Sequence, residues 1–128
     1  MSEIKEKELR MYFLVERHLS PIDKGIQAGH SAVEYGYSNK DQPLFKEWYY
    51  HHKTFILLNG GIASDMRTHI EFLKKYNIKH SIFEEPDLDY LITSIAFILD
   101  DNIFSKEMLD VQDEHTELRL WLSQFRLA

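Results

Sequence analysis

The sequence predicts an α/β fold, a three-layer α/β/α arrangement built on a four-stranded mixed sheet, with a C-terminal helical extension. Three observations carry this. Short apolar runs rich in β-forming residues recur along the chain, segments of helical periodicity separate them, and the strands are apolar on both sides. A sheet of such strands has to be covered on both faces. At 128 residues the chain has length for one domain, read as a core over about 10–100 and the extension over about 101–128.

Met11 to Glu16 is the first buried strand, and Pro21 prevents its continuation. From Lys24 to Ser38 the pattern is helical. At about 100° per residue, Ile26, Gly29, Val33 and Tyr37 fall in one arc, the expected buried face. Gly29 and Gly36, on that face at a cost in helix propensity, are expected to mark a close approach of helix to sheet. Pro43 opens a second helix with the stripe Leu44, Phe45, Trp48 and Tyr49. Thr54 to Leu58 is a strand ended by Asn59-Gly60-Gly61, and Ser64-Asp65 starts a third helix with Met66, Ile70, Leu73 and Tyr76 inward. Asn77 suits a left-handed helix end. Lys79 to Phe83 and Thr93 to Leu99 are the last strands, separated by the acidic loop Glu84 to Asp89. The tail carries Met108, Leu109, Leu118, Trp121, Leu122 and Phe125, enough for one or two helices packed back on the domain.

Composition removes several function classes. There are no cysteines, so disulfide scaffolds, thiolate nucleophiles and Cys-based zinc sites are excluded. No run approaches the roughly 18–20 apolar residues of a membrane span. The charged stretch Met1–Arg10 has no apolar stretch of a secretory leader, which predicts a cytoplasmic protein. Net charge is −6 and uneven. Residues 1–80 hold twelve Lys+Arg against ten Asp+Glu, whereas 81–128 hold three against eleven. That balance disfavours non-specific coating of nucleic acid, DNA included, but leaves room for a local basic pocket in the first part.

The candidate sites are few. The seven histidines lack metal-ligand spacing, so no metal site is expected. Gly60-Gly61 lacks the flanking pattern of a phosphate loop and reads as a tight turn. Lys24, Gln27 and His30, spaced i, i+3, i+6, form a polar ridge in the first turns of the first helix. Ligands of open α/β sheets bind near such helix starts, beyond the carboxyl ends of strands. A solvated helix face would have the same spacing. Glu85-Pro86-Asp87 with Thr93 is the second candidate, a Pro-fixed acidic loop before a buried strand, or equally a solvated turn.

The stretch Leu19-Ser20-Pro21-Ile22-Asp23-Lys24-Gly25-Ile26-Gln27-Ala28-Gly29-His30-Ser31-Ala32-Val33 resembles the motif of the type 2 (archaeal and eukaryotic) peptidyl-tRNA hydrolases. In that family a Lys-containing turn precedes Ala-Gln-x-x-His-Ala-Ala-Val, and Gln27, His30, Ala32 and Val33 match in register. The likeness spans about residues 10–100, and Glu85-Pro86-Asp87-Leu88 makes the chain look most like divergent bacteriophage-encoded members. The lysine is displaced by one position, with Asp23 where the cellular enzymes have it. Of the Gly-Thr-x-Thr stretch only Thr93 is matched.

The resemblance implies metal-free, cofactor-free hydrolysis of the ester joining a peptide to the 3′ ribose of tRNA. It implies that Asp87, with His30, orients or deprotonates water and that Lys24 supplies positive charge to the oxyanion or a phosphate. Gln27 and Thr93 would position substrate, with Ser20, Glu85 and Arg17 on the binding side. If Asp87 faces Lys24, an ion pair would keep both charged. Two other readings stay open. One is a phage protein in the host cytoplasm that binds or degrades a small nucleotide, such as a host defence signal, in the same pocket. The other is an interaction module whose crowded apolar tail (Leu118, Leu120, Trp121, Leu122, Phe125, Leu127) mediates self-association. A homodimer is expected.

Overall fold

The computed structural model describes residues 8–100 and 114–128. Four strands, β1 (Leu9–Glu16), β2 (Thr54–Gly61), β3 (His80–Glu85) and β4 (Leu91–Asp100), form one sheet in the order β2-β1-β4-β3. β1 and β2 are parallel, and β4 runs antiparallel to both of its neighbours. Hence β1, β2 and β3 point the same way. Their carboxyl ends and the start of β4 share one rim of the sheet.

Helices α1 (Pro21–Asn39) and α2 (Pro43–His51) cover one face, and α3 (Ala63–Lys75) with α4 (Glu114–Ser123) cover the other. Alternation along β1 divides the core. Leu9, Met11, Phe13 and Val15 pack with Ala28, Tyr35 and Trp48, while Tyr12 and Leu14 pack with Met66, Leu73 and Trp121. The α/β arrangement expected from the sequence is therefore present, with each predicted element displaced by only a few residues at its ends. Asn77 takes its left-handed conformation, φ 54°, just past α3. There Ile78 N donates to Leu73 O and Asn77 N to Lys74 O, which closes the helix with the paired bonds of a Schellman end.

The buried face of α1 is the opposite of the expected one. Ile26 and Val33 are 50% and 71% exposed, and Tyr37 is 77% exposed. The face against the sheet is Gln27, Ala28, Ser31, Tyr35 and Asn39. The apolar arc misled because the inward polar groups have internal partners. Ser31 Oγ donates to Ala28 O (3.1 Å) and Asn39 Nδ2 to Tyr35 O (3.0 Å). Strand hydroxyls also reach up to the helix backbone: Ser81 Oγ donates to Ser31 O at 2.8 Å and Ser94 Oγ to Gln27 O at 2.7 Å. Small side chains at 28 and 31 permit that approach, so Gly29 does not serve it.

A Cβ built at Gly29 meets nothing within 4 Å, whereas at Gly36 it would sit 3.2 Å from the Phe45 ring of α2. Gly29→Ala should therefore stabilise the protein by about 0.5–1 kcal/mol through helix propensity alone. Urea unfolding measures this, and a loss of stability would mean that the outer face of α1 is not open.

The chain end closes the free edge of β2. Asn59 N donates to Arg126 O, Ala128 N donates to Leu57 O, and Leu58 and Leu127 form an antiparallel bridge. The tail's apolar surplus is largely core: Leu118, Trp121 and Leu122 are buried, Phe125 is half-buried, and Leu120 and Leu127 are exposed. Met108 and Leu109 lie outside the described residues.

Candidate functional site

The rim where β1, β2 and β3 end gathers the polar side chains that the sequence singles out. Its centre is the Gln27 amide, on a nearly buried side chain of α1. Gln27 Oε1 accepts from the Thr93 hydroxyl at 2.6 Å, and Nε2 donates to Glu85 Oε2 at 3.0 Å. The carboxylate can only accept, so the amide orientation is fixed by its partners.

A β-bulge makes this possible. Along β3 and β4, Phe83 pairs with Ser94 and Glu84 with Ile92, so Thr93 is the extra residue. Neighbouring strand residues ordinarily face opposite sides of a sheet. Here the bulge shifts the phase, and Thr93 and Ser94 both bond Gln27, one at its amide and one at its backbone carbonyl. Ile92, beyond the bulge, packs on the α3 side instead.

The other candidates take varied places. His30 is exposed and its ring stacks on Phe83, centroids 4.4 Å apart and 13° from parallel. Lys24 is half-buried in the first turns of α1. The Ser20 hydroxyl caps α1 by accepting from Asp23 N at 3.2 Å. Glu85 lies at the end of β3 and also accepts weakly from Asp87 N, at 3.4 Å. Asp87 is exposed on a single 3₁₀ turn, Pro86–Leu88, followed by Asp89 and Tyr90 in left-handed conformations with φ 56° and 61°. Two consecutive left-handed non-glycine residues hold this loop in an uncommon shape. No ion pair joins Lys24 to Asp87, so the salt link that would follow from their facing each other is not formed. Arg17 stands away from Gln27, at a cavity on the α3 side of the rim.

No known family model matches the chain, and no curated protein matches it significantly. The rim offers one ordered amide braced by a fully buried hydroxyl, two carboxylates of different exposure, a cation and a ring-stacked imidazole. Among the described residues no three His, Asp or Glu side chains gather in a metal-holding group.

Sequence reasoning missed three residues near the rim, Glu16, Ser94 and His69. Glu16, at the end of β1, is buried and its carboxylate accepts from both the backbone N and the ring Nδ1 of His18, each at 2.7 Å. Ser94 carried no signal distinct from its apolar strand. His69 lies on α3, buried, with Nε2 2.9 Å from Gly60 O. Burial holds the His69 imidazole below its usual 6.5, against the opposing pull of the Gly60 carbonyl and Asp65. The unfolded chain thus binds a proton there before the folded one does. Its contribution is complete above pH 6.5 and erodes on acidification towards the lowered folded value. The urea midpoint of the protein should fall more steeply from pH 7 to pH 5.5 than that of His69→Phe; parallel slopes would contradict this.

Proposed function

We propose that the rim site hydrolyses the ester between a peptide and the 3′ ribose of tRNA, the reaction of the peptidyl-tRNA hydrolases that the Leu19–Val33 stretch resembles. The observation that carries this reading is the Gln27 amide held between Thr93 and Glu85, at the sheet end where α/β folds bind ligands. An acyl ester needs water aligned with its carbonyl, a base for the proton, and positive charge for the oxyanion. Asp87 is the accessible carboxylate for the proton, His30 helps to orient the water, and Lys24 supplies the charge. Water adds to the carbonyl carbon as its proton passes to Asp87; the tetrahedral oxyanion then collapses, the ester C–O bond breaks, and Asp87 returns the proton to the departing ribose 3′ oxygen. Gln27, braced by the buried Thr93 hydroxyl, presents its remaining amide N–H to the ribose end, and the His30–Phe83 stack offers a flat surface to the terminal base.

Single-turnover hydrolysis of a labelled peptidyl-tRNA tests this directly. Asp87→Ala should slow cleavage by about 10²–10⁴-fold, the usual worth of a positioned general base. Equal rates in the two proteins would remove Asp87 from the mechanism.

A second reading rests on the net charge of −6, which is poorly suited to gripping a whole tRNA. In it, the same rim binds or degrades a small nucleotide. Salt separates the two. Binding of tRNA through several phosphates weakens steeply with ionic strength, while binding of a small nucleotide changes little.

A further inference from the structure

We propose that a second pocket, under α3 on the opposite face of the sheet from Gln27, binds a phosphorylated sugar such as the ribose phosphate of a mononucleotide. The cavity measures about 350 Å³ and is walled by Arg17, Gly61, Asp65, His69, Phe125 and Arg126. That is within the size range of small-ligand sites, about 300–1,000 Å³.

Its charge comes from two arginines distant in sequence. Arg17 follows β1 and its backbone N donates to Gly61 O at 2.9 Å, while Arg126 arrives on the C-terminal segment and its carbonyl accepts from Asn59 N at 2.8 Å. The end of β2 thus holds both backbones. Neither guanidinium forms an ion pair among the described residues. Asp65 brings one negative charge, but its Oδ2 accepts from Ile62 N at 3.0 Å, where it closes the start of α3. Two arginines against one aspartate leave the walls net positive, and guanidinium forks suit the oxygens of a phosphate.

The turn itself is not the phosphate holder. Gly61 N is occupied by Asn59 Oδ1 at 2.9 Å. The glycines have packing reasons instead: a Cβ on Gly60 would lie 2.7 Å from Met66 Sδ, and Gly61 has φ +88°. An anion in this cavity is therefore bound by side chains.

His69 narrows the ligand further. Its Nε2 faces the Gly60 carbonyl, which can only accept, so Nε2 carries the proton. In the neutral ring Nδ1 is then an acceptor, and it is buried with no partner among the described residues. Buried acceptors are nearly always satisfied. The cavity wall thus brings cationic donors beside a buried, unused acceptor, and a bare phosphate dianion serves only the first. A sugar phosphate serves both, its hydroxyl donating to Nδ1 after a small shift of the ring. Phe125, half-buried beside His69, gives the apolar wall on which a sugar face can rest.

The pocket is separate from the rim site, and its test reads small-ligand affinity without peptidyl-tRNA. Failure of either proposal leaves the other standing. Calorimetric titration with ribose 5-phosphate, inorganic phosphate and ribose provides the three arms. Ribose 5-phosphate should bind about tenfold or more tightly than inorganic phosphate, and ribose alone should not bind. Arg126→Gln should weaken ribose 5-phosphate about tenfold or more, with partial recovery in Arg126→Lys. His69→Phe, verified as folded by its melting curve, should bring ribose 5-phosphate down to the level of inorganic phosphate. The proposal is overturned if ribose 5-phosphate does not bind at millimolar concentration, if it binds no better than inorganic phosphate, or if Arg126→Gln binds it unchanged.

Discussion

Replacing Trp121 with Ala is expected to cost about 3–5 kcal/mol of folding stability, the range for deleting a large buried aromatic side chain. Trp121 lies on α4, only 9% exposed. Its ring stacks on Phe72 of α3 with centroids 4.4 Å apart, and it meets Phe125 edge-on at 5.0 Å and Phe97 of β4 at 5.7 Å. It joins the C-terminal helix, α3 and the sheet in one cluster. Lys75 and the Tyr76 hydroxyl add polar ties from the end of α3 to Glu117, but such exposed contacts contribute little. Since single domains are stable by only about 5–15 kcal/mol, the variant should be close to unfolding at physiological temperature. Denaturant unfolding followed by far-UV circular dichroism measures the loss. A cost below about 1 kcal/mol would mean that α4 is an appendage rather than part of the core.

Gln27→Leu is expected to cost about 1–3 kcal/mol although leucine is apolar and similar in size. The loss arises from what it leaves behind. The Thr93 hydroxyl, fully buried, loses its acceptor at 2.6 Å and keeps only a 3.5 Å approach to Phe83 O, and Glu85 loses its donor. A second substitution distinguishes this from a packing defect. In the double variant with Thr93→Val, neither hydroxyl nor amide remains, and the two costs should add to more than the measured total by at least about 0.5 kcal/mol. Strict additivity would show that the two side chains do not act as a pair. Under the proposed function, Gln27→Leu also slows peptidyl-tRNA cleavage, because the amide no longer presents itself to the ribose.

The two residues mark the boundary of what the sequence makes legible. The strands announced themselves as apolar runs, because a central strand such as β1 is buried on both faces and has no charged residue between Arg10 and Glu16. Proline at the starts of α1 and α2 and Asn77 past α3 are local signals, and local chemistry decides them. The buried face of α1 was not legible from its apolar arc. Its inward polar groups are satisfied by strand hydroxyls that lie far away in the chain, so hydropathy assigns them to water. Spacing did find Gln27 and Thr93, but not that they touch. That contact depends on a one-residue bulge in β4, and Thr93-Ser94 looks the same with or without it. Arg126 and His69 gave no signal at all, since only the return of the tail to β2 brings them to one cavity.

The most direct test of the rim site is the binding of a substrate mimic whose ester is replaced by an uncleavable 3′-amide, a short peptide on 3′-aminoadenosine. Backbone amide NMR shifts locate it without reference to rate. The proposed function predicts that the largest shifts cluster at Gln27, His30, Phe83, Glu85, Asp87 and Thr93. Shifts confined to other surfaces, or none at saturating mimic, would contradict the assignment of this rim as the place where the ester binds.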